Sequence, residues 1–382
     1  MERFILNETS YFGRESREKI GEELKARGHD KVLVVTDFNL MDQGITPKVI
    51  DVLEQNNITY FVYLNVKPNP TIKNVQDGIM LAQISNINAI VAVGGGSVLD
   101  TAKAISIIMT NPEYSTVTSL DGVKTTRNKG LPLFAVPTTA GTASETTINY
   151  AITDEKNVKK MICIDVHDIP TCAIIDPDLM QNMPKQLAAS TGMEALTQAI
   201  EGYISKNGWL IPDMYNINAM SLIFKNIESA VNDKDDIAIE KMAYAQYIAG
   251  MGCSNAGLGI THSMANTLSA FFDIPNGLAN AILLPHVLRF NGKVCPELYR
   301  NIGKAIGIDT NNLTDDELIE NVAVAVENLQ VRLSIPKNLH DIGIPQEMIP
   351  QLATQAINDI CTQGNPRAVT VDDIIDLYNK AY

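Results

Sequence analysis

An α/β domain followed by an all-helical domain is the architecture this 382-residue sequence predicts, with residues 1–180 in the first and 181–382 in the second. Three observations predict it. Short apolar runs alternate with amphipathic helical stretches through the first half, those runs are continuous rather than alternating, and strand signals vanish beyond about residue 182. The chain also exceeds the ~250–300 residues at which single cores stop growing, so two domains sharing an interface are expected.

KVLVVTD (31–37), TYFVYLNV (59–66), NAIVAVGGG (88–96), PLFAVPTT (132–139) and TCAIID (171–176) read as strands. VLVV and IVAV are apolar at every position, as suits strands of a largely parallel sheet covered on both faces. Between them, SREKIGEELKARG and TPKVIDVLEQNN carry the i, i+3, i+4 spacing of amphipathic helices. Asp176-Pro177 is a turn after the last strand and marks the boundary. From there, MPKQLAASTGMEALTQAIEGYIS, DMYNINAMSLIFKNIESAV, AIEKMAYAQYIAGMGCS and the final TVDDIIDLYNKAY read as helices.

Composition narrows the function classes. Forty-four acidic against 30 basic residues give a net charge of −14, a field that repels phosphate backbones and argues against nucleic acid as a partner. No run approaches the ~18 apolar residues needed to cross a bilayer, so no membrane is expected. MERFILNETSYFG lacks the pattern of a signal peptide, which predicts a cytoplasmic protein. The five cysteines, Cys163, Cys172, Cys253, Cys295 and Cys361, are scattered without a CxxC pair, as expected of reduced thiols and not of a zinc finger. A small-molecule substrate is the expected partner.

Two loops carry chemistry. VAVGGGSVLDTAKAI (91–105) sets Gly95, Gly96 and Ser97 between a buried strand and a helix. Glycines let backbone N–H groups approach an anion, and the helix N-terminus adds partial positive charge, so the turn is a candidate phosphate cradle rather than an ordinary tight turn. It is neither the GxGxxG fingerprint nor a Walker loop. VPTTAGTASETTINY (136–150) places hydroxyls directly after a buried strand, where open sheets bind ligands. Asp37 ends the first strand, and two readings stay open for it: a carboxylate for a ribose, favouring NAD over NADP, or a helix cap.

With KPNPT (67–71), GGGSVLDTAK (94–103), PTTAGTASE (137–145), AIEGYIS and AILLPHV, the whole chain resembles the iron-containing (group III) alcohol dehydrogenases and their dehydroquinate synthase-like fold. The resemblance implies NAD(H) as cofactor and a set of residue roles. Asp37 would hold the adenosine ribose and Asn69 would line the cofactor site; Gly95, Gly96, Ser97 and Asp100 would surround the pyrophosphate. Thr138, Thr139 and Thr142 would bind the adenine and phosphate side, and Lys160 would reach the nicotinamide ribose. Asn149 would border both the cofactor and the substrate, and Cys253 and Cys361 would border the substrate. Relatives sharing the FILNET segment are often dimers through N-terminal strand pairing, so a homodimer is expected.

The same resemblance places a divalent metal, Fe²⁺ or Zn²⁺, in the helical domain on one aspartate and three histidines. Here those positions hold Glu194, Gln198, His262 and Asn276, and a further family histidine near the nicotinamide is Asn266. One imidazole, one carboxylate and two amides make a poor transition-metal site, so tight binding of iron or zinc is not expected. Gln198, Asn266 and Asn276 carry NH2 groups suited to polarise a substrate oxygen, and a protonated His262 would serve as proton donor. Two readings follow: a metal-independent dehydrogenase or reductase of small aldehydes or ketones, and a non-catalytic NAD-binding relative. Of the other histidines, His286 reads as structural and His29, His167 and His340 as surface residues.

Overall fold

A computed structural model describes residues 1–382, which divide into two units, Met1–Met183 and Pro184–Tyr382.

The first unit contains strands β1 (Thr9–Phe12), β2 (Lys31–Val35), β3 (Thr59–Tyr63), β4 (Ala89–Gly94), β5 (Gly122–Val123), β6 (Leu133–Pro137), β7 (Asn149–Asp154), β8 (Lys159–Ile164) and β9 (Cys172–Ile175). Its longer helices are α1 (Lys19–Ala26), α2 (Phe38–Asp42), α3 (Ile45–Gln55), α4 (Ile72–Ser85) and α5 (Gly96–Thr110). Six strands form one parallel sheet in the order β1-β9-β6-β4-β2-β3. Alternate residues of its strands feed two cores. Val32, Val34, Val91 and Val93 pack with Ile20, Leu24, Val49 and Leu53 of α1 and α3 on one face. Leu33, Val35, Ile90 and Ala92 pack with Val75, Ala82, Leu99 and Ile105 of α4 and α5 on the other. Burial on both faces is what the unbroken apolar runs require.

This topology positions the cofactor loops. After β2 the chain moves outward to β3, then returns to β2's other side to form β4, where Val35 pairs with Ala92. The carboxyl ends of β2 and β4 therefore meet at a topological switch point, the place where open α/β sheets bind ligands.

Several elements differ from the sequence reading. β1, β5 and the antiparallel pair β7–β8 were not among the expected strands; β5, β8 and β7 form a small second sheet. β4 stops at Gly94, short of the expected Gly96, because Gly96 already opens α5.

The second unit is helical: α6 (Lys185–Ile204), α7 (Leu210–Asn232), α8 (Asp236–Ala256), α9 (Ile260–Phe272), α10 (Asn276–Gly292), α11 (Pro296–Ala305), α12 (Asp315–Arg332), α13 (Ile349–Ala356) and α14 (Val371–Lys380). Helix α6 packs against α7, α8 and α10, and every residue from Ala189 to Ile204 is buried. A helix covered on all sides should be apolar throughout. Its buried Glu194, Gln198 and Glu201 are therefore the residues to explain.

Candidate active site

In the first unit the site grows from the pairing of β4 with β6. Gly94 stands opposite Pro137, and Thr138 donates its backbone N–H to the Gly94 carbonyl at 3.1 Å, so the glycine turn and the hydroxyl-rich loop leave the sheet side by side. They fit closely. A Cβ at Gly95 would lie 3.1 Å from Cγ2 of Thr139, and one at Gly96 would lie 2.6 Å from Cγ2 of Thr142. Helix α5 begins at Gly96 with no side chain capping its first turn. Its leading N–H groups and about half a unit of positive charge are thus presented beside threonine hydroxyls, a fit for the pyrophosphate of a dinucleotide.

Asp100 does different work from that expected of it. Its Oδ1 accepts from the Ser144 hydroxyl at 2.5 Å and its Oδ2 from the Ala151 N–H at 2.8 Å. Both oxygens brace the hydroxyl-rich loop against α5 instead of turning toward a phosphate. Burial pushes its carboxyl above the usual range, against the opposing pull of Lys103. Lys103, one turn along α5 and almost wholly buried, donates to the Thr147 carbonyl (2.7 Å), the Thr147 hydroxyl (3.0 Å) and the Asn149 carbonyl (2.9 Å). The sequence reading gave Lys103 no role, although its i, i+3 spacing from Asp100 sets both on one helix face.

Asp37 serves as the N-cap of α2, its Oδ1 accepting from the Leu40 N–H at 3.0 Å. Capping leaves it at the end of β2, beside the switch point, so the ribose role is compatible with it. Lys160 of β8 donates to Oδ1 of Asn69 at 3.3 Å, and the backbone of Thr153 in β7 donates to Pro70 at 2.7 Å. The paired strands β7 and β8 thereby bring the KPNPT loop and Lys160 together. Asn69 is held with φ 49°, a left-handed conformation that asparagine tolerates better than most residues.

In the second unit, Glu194, Gln198 and Glu201 lie at i, i+4 and i+7 on α6, and His262, Asn266 and Ser269 repeat that spacing on α9. His262 is buried. Its Nδ1 lies 2.6 Å from Oε2 of Glu201, while its Nε2 is buried and meets no hydrogen-bond partner. Glu201 also accepts from the backbone N–H groups of Gly259 (2.9 Å) and Thr261 (2.6 Å) at the start of α9. Burial would raise its carboxyl, but His262 and these donors outweigh it and hold the group below its ordinary value. Gly259 permits the approach, since a Cβ there would fall 2.9 Å from Oε1 of Glu201.

Asn266 and Asn276 are joined in a second network. Asn276 donates to Oδ1 of Asn266 at 3.0 Å, Asn266 donates to Oδ2 of Asp359 at 3.1 Å, and the Ser269 hydroxyl donates to Oδ1 of Asn276. Asp359 further accepts from the Ser263 hydroxyl and from the Cys361 N–H. Helix α10 starts tight against α6: a Cβ at Gly277 would lie 2.4 Å from the Ser190 carbonyl and 3.1 Å from Oε2 of Glu194. Burial raises the Cys253 thiol to about 12 and the Cys361 thiol well above its usual value, so neither is a thiolate nucleophile.

Glu201, Asp359 and Ser269 were not among the residues expected here. Iron or zinc would have to take Glu194, Gln198, His262 and Asn276 as donors, and this set does not fit. Amide oxygens are weak ligands for such ions, and Oδ1 of Asn276 lies against the Ser269 hydroxyl, whose single proton also has the Ile274 carbonyl within reach at 2.6 Å. Nowhere in the chain do three or more His, Cys, Asp or Glu side chains gather so as to hold a metal.

Comparison with known proteins assigns the family. The iron-containing alcohol dehydrogenase family matches residues 7–177, and the C-terminal domain of the Fe-containing alcohol dehydrogenase family matches residues 188–382. The chain is 46% identical over 381 residues to lactaldehyde reductase of Escherichia coli strain K12, covering 100% of this chain and 99% of that relative. It is 36% identical over 382 residues to an NAD-dependent methanol dehydrogenase of Bacillus methanolicus, covering 100% of each. Among solved structures it matches an alcohol dehydrogenase from Oenococcus oeni with a TM-score of 0.97, 36% identity and 100% of both chains covered. The parallel α/β unit followed by a helical unit, the motifs along the whole chain and these likenesses agree: the chain belongs to the iron-containing alcohol dehydrogenase family.

Proposed function

We propose that the protein is an NAD(H)-dependent oxidoreductase that interconverts a small aldehyde or ketone and its alcohol without a tightly bound transition metal. One observation carries this reading. A glycine–threonine cradle suited to a pyrophosphate is kept intact in the first unit, while in the second His262 retains a bare, buried Nε2 among amides. The relatives named lactaldehyde reductase and NAD-dependent methanol dehydrogenase support a small alcohol or aldehyde as substrate and NAD as cofactor.

NAD(H) would supply the hydride acceptor or donor. Asp37 would hold the ribose and disfavour a 2′-phosphate, Gly95, Gly96, Ser97, Thr138, Thr139 and Thr142 would surround the phosphates, and Asn69 and Lys160 would meet the nicotinamide ribose. His262 and the amides of Gln198, Asn266 and Asn276 would receive the substrate oxygen, with Asn149, Cys253 and Cys361 bordering the substrate. One well-placed donor stabilises a developing oxyanion by roughly 3 kcal/mol, so two or three together replace much of what a Lewis acid provides. We further propose a cytoplasmic homodimer; β1 lies at a sheet edge with Phe12 about half exposed, which supports pairing there.

The test is NADH oxidation with a panel of short aldehydes and ketones, run with EDTA and again with added Fe²⁺ or Zn²⁺. Turnover indifferent to EDTA is expected. Turnover only on metal addition would defeat the metal-independent reading, and NADH binding without turnover would favour a non-catalytic role.

A further inference from the structure

The pairing of Glu201 with His262 has a chemical polarity. Every hydrogen-bonding group around the Glu201 carboxylate is a donor from the start of α9: the Gly259 N–H on Oε2, the Thr261 N–H on Oε1, a longer bond of 3.4 Å from the His262 N–H, and the His262 ring at 2.6 Å. A carboxylate filled by backbone N–H groups on both oxygens can only accept from the imidazole. The ring proton of neutral His262 is therefore on Nδ1, and Nε2, buried and without a partner, carries only its lone pair. A buried bare nitrogen of this kind is costly to leave unpaired and calls for a donor from a ligand.

We propose that Glu201 is a positioning residue that fixes His262 in the Nδ1–H tautomer, so that Nε2 meets the substrate as the acceptor of the alcohol's hydroxyl hydrogen. The inference rests on the proposed oxidoreductase reading and reverses the expectation of a resting proton donor. In the oxidation direction the C–H bond of the carbinol carbon would break and its hydrogen leave with the electron pair as hydride, for which bound NAD⁺ would be the acceptor. The O–H bond breaks, its proton goes to Nε2, and the carbonyl forms. The imidazolium so produced faces the Glu201 carboxylate, which compensates its charge, as a carboxylate does for the histidine of a hydrolase triad. Reduction would run the same steps backward: the protonated ring would give its Nε2 proton to the oxygen of the carbonyl being reduced, with the hydride supplied from bound NADH.

The full-length protein labelled with ¹⁵N-histidine tests this without substrate. The His262 resonances, assigned by their loss in His262→Asn, should show a protonated Nδ1 and a pyridine-type Nε2 in the neutral ring. Glu201→Gln, which puts an amide NH2 against the donors of α9, should abolish that tautomer preference and lower kcat by about 10- to 100-fold with KM for NADH unchanged. His262→Asn can keep a donor toward Glu201 while lacking any acceptor at Nε2, so it separates folding from chemistry; a loss of about 10²- to 10⁴-fold in kcat is expected. A protonated Nε2 in the wild-type neutral ring, or wild-type kcat in folded His262→Asn, would overturn the proposal. Absence of turnover in the wild-type protein would instead refute the oxidoreductase reading, leaving the tautomer to be decided by its resonances.

Discussion

Asn276 donates through Nδ2 to Oδ1 of Asn266, and this bond fixes the direction of a chain of side chains running from the Ser269 hydroxyl to the Asp359 carboxylate. Asp359 takes donors on both oxygens, from Ser263 and the Cys361 N–H on Oδ1 and from Asn266 on Oδ2, so Asn266 turns its NH2 toward Asp359 and its oxygen toward Asn276. Asn276 in turn gives its NH2 to Asn266 and its oxygen to Ser269. The oxygen of Asn276 is thereby turned toward Ser269, and each amide nitrogen keeps a second hydrogen outside this chain of bonds.

Restoring the family's ligands should reverse this arrangement. The triple variant Glu194→Asp, Gln198→His, Asn276→His supplies three imidazoles and a carboxylate, a donor set for iron or zinc. Expressed with added Zn²⁺ and desalted, it should carry about one zinc per chain by mass spectrometry of the metal, with the natural protein well below that. Equal, substoichiometric zinc in both would show that ligand identity is not what governs this site.

Much of this was legible in the chain itself, for a physical reason. Continuous runs such as KVLVV and AIVAVG are rare outside strands covered on both faces, and GGGS between strand and helix has few uses other than close backbone approach. The pair β7–β8 is less legible because NYAITD and KKMICI mix polar and apolar residues, and the hydroxyl-rich loop of 136–150 takes in only the first two residues of β7. Glu201 and Asp359 were not legible at all. A glutamate on a helix and an aspartate before a turn look like ordinary solvated residues until the fold brings α9 against them. Asp100 shows the converse: a residue expected at the phosphate is occupied in bracing a loop.

Asp37 joins two duties that a substitution can separate. As N-cap of α2 it accepts from the Leu40 N–H, a role serine fills nearly as well. As a carboxylate at the end of β2 it would repel a 2′-phosphate. Asp37→Ser should therefore shift stability by less than ~0.5 kcal/mol in urea unfolding. It should raise kcat/KM with NADPH relative to NADH on the order of tenfold or more, the effect of removing one like charge at close range. An unchanged cofactor preference would remove Asp37 from the ribose site.

Asp213, in the first turn of α7, gives a pH-dependent prediction. Burial alone raises its carboxyl from 3.8 to about 6, and its Oδ1 meets no hydrogen-bond partner. Because the folded-state value lies above the unfolded one, the native protein binds more protons than the unfolded chain between about pH 4 and pH 6. This group's contribution is thus most favourable below 3.8 and is lost as pH rises through about 6. Full burial would make the loss ~3 kcal/mol, and solvent screening of a partly exposed group reduces it to about 1 kcal/mol. Asp213→Asn keeps the shape and removes the titration. Urea unfolding should find the variant more stable than the natural protein by about 1 kcal/mol at pH 7, with the gap closing toward pH 4. A gap independent of pH would mean that Asp213 ionises in the folded protein as freely as in water.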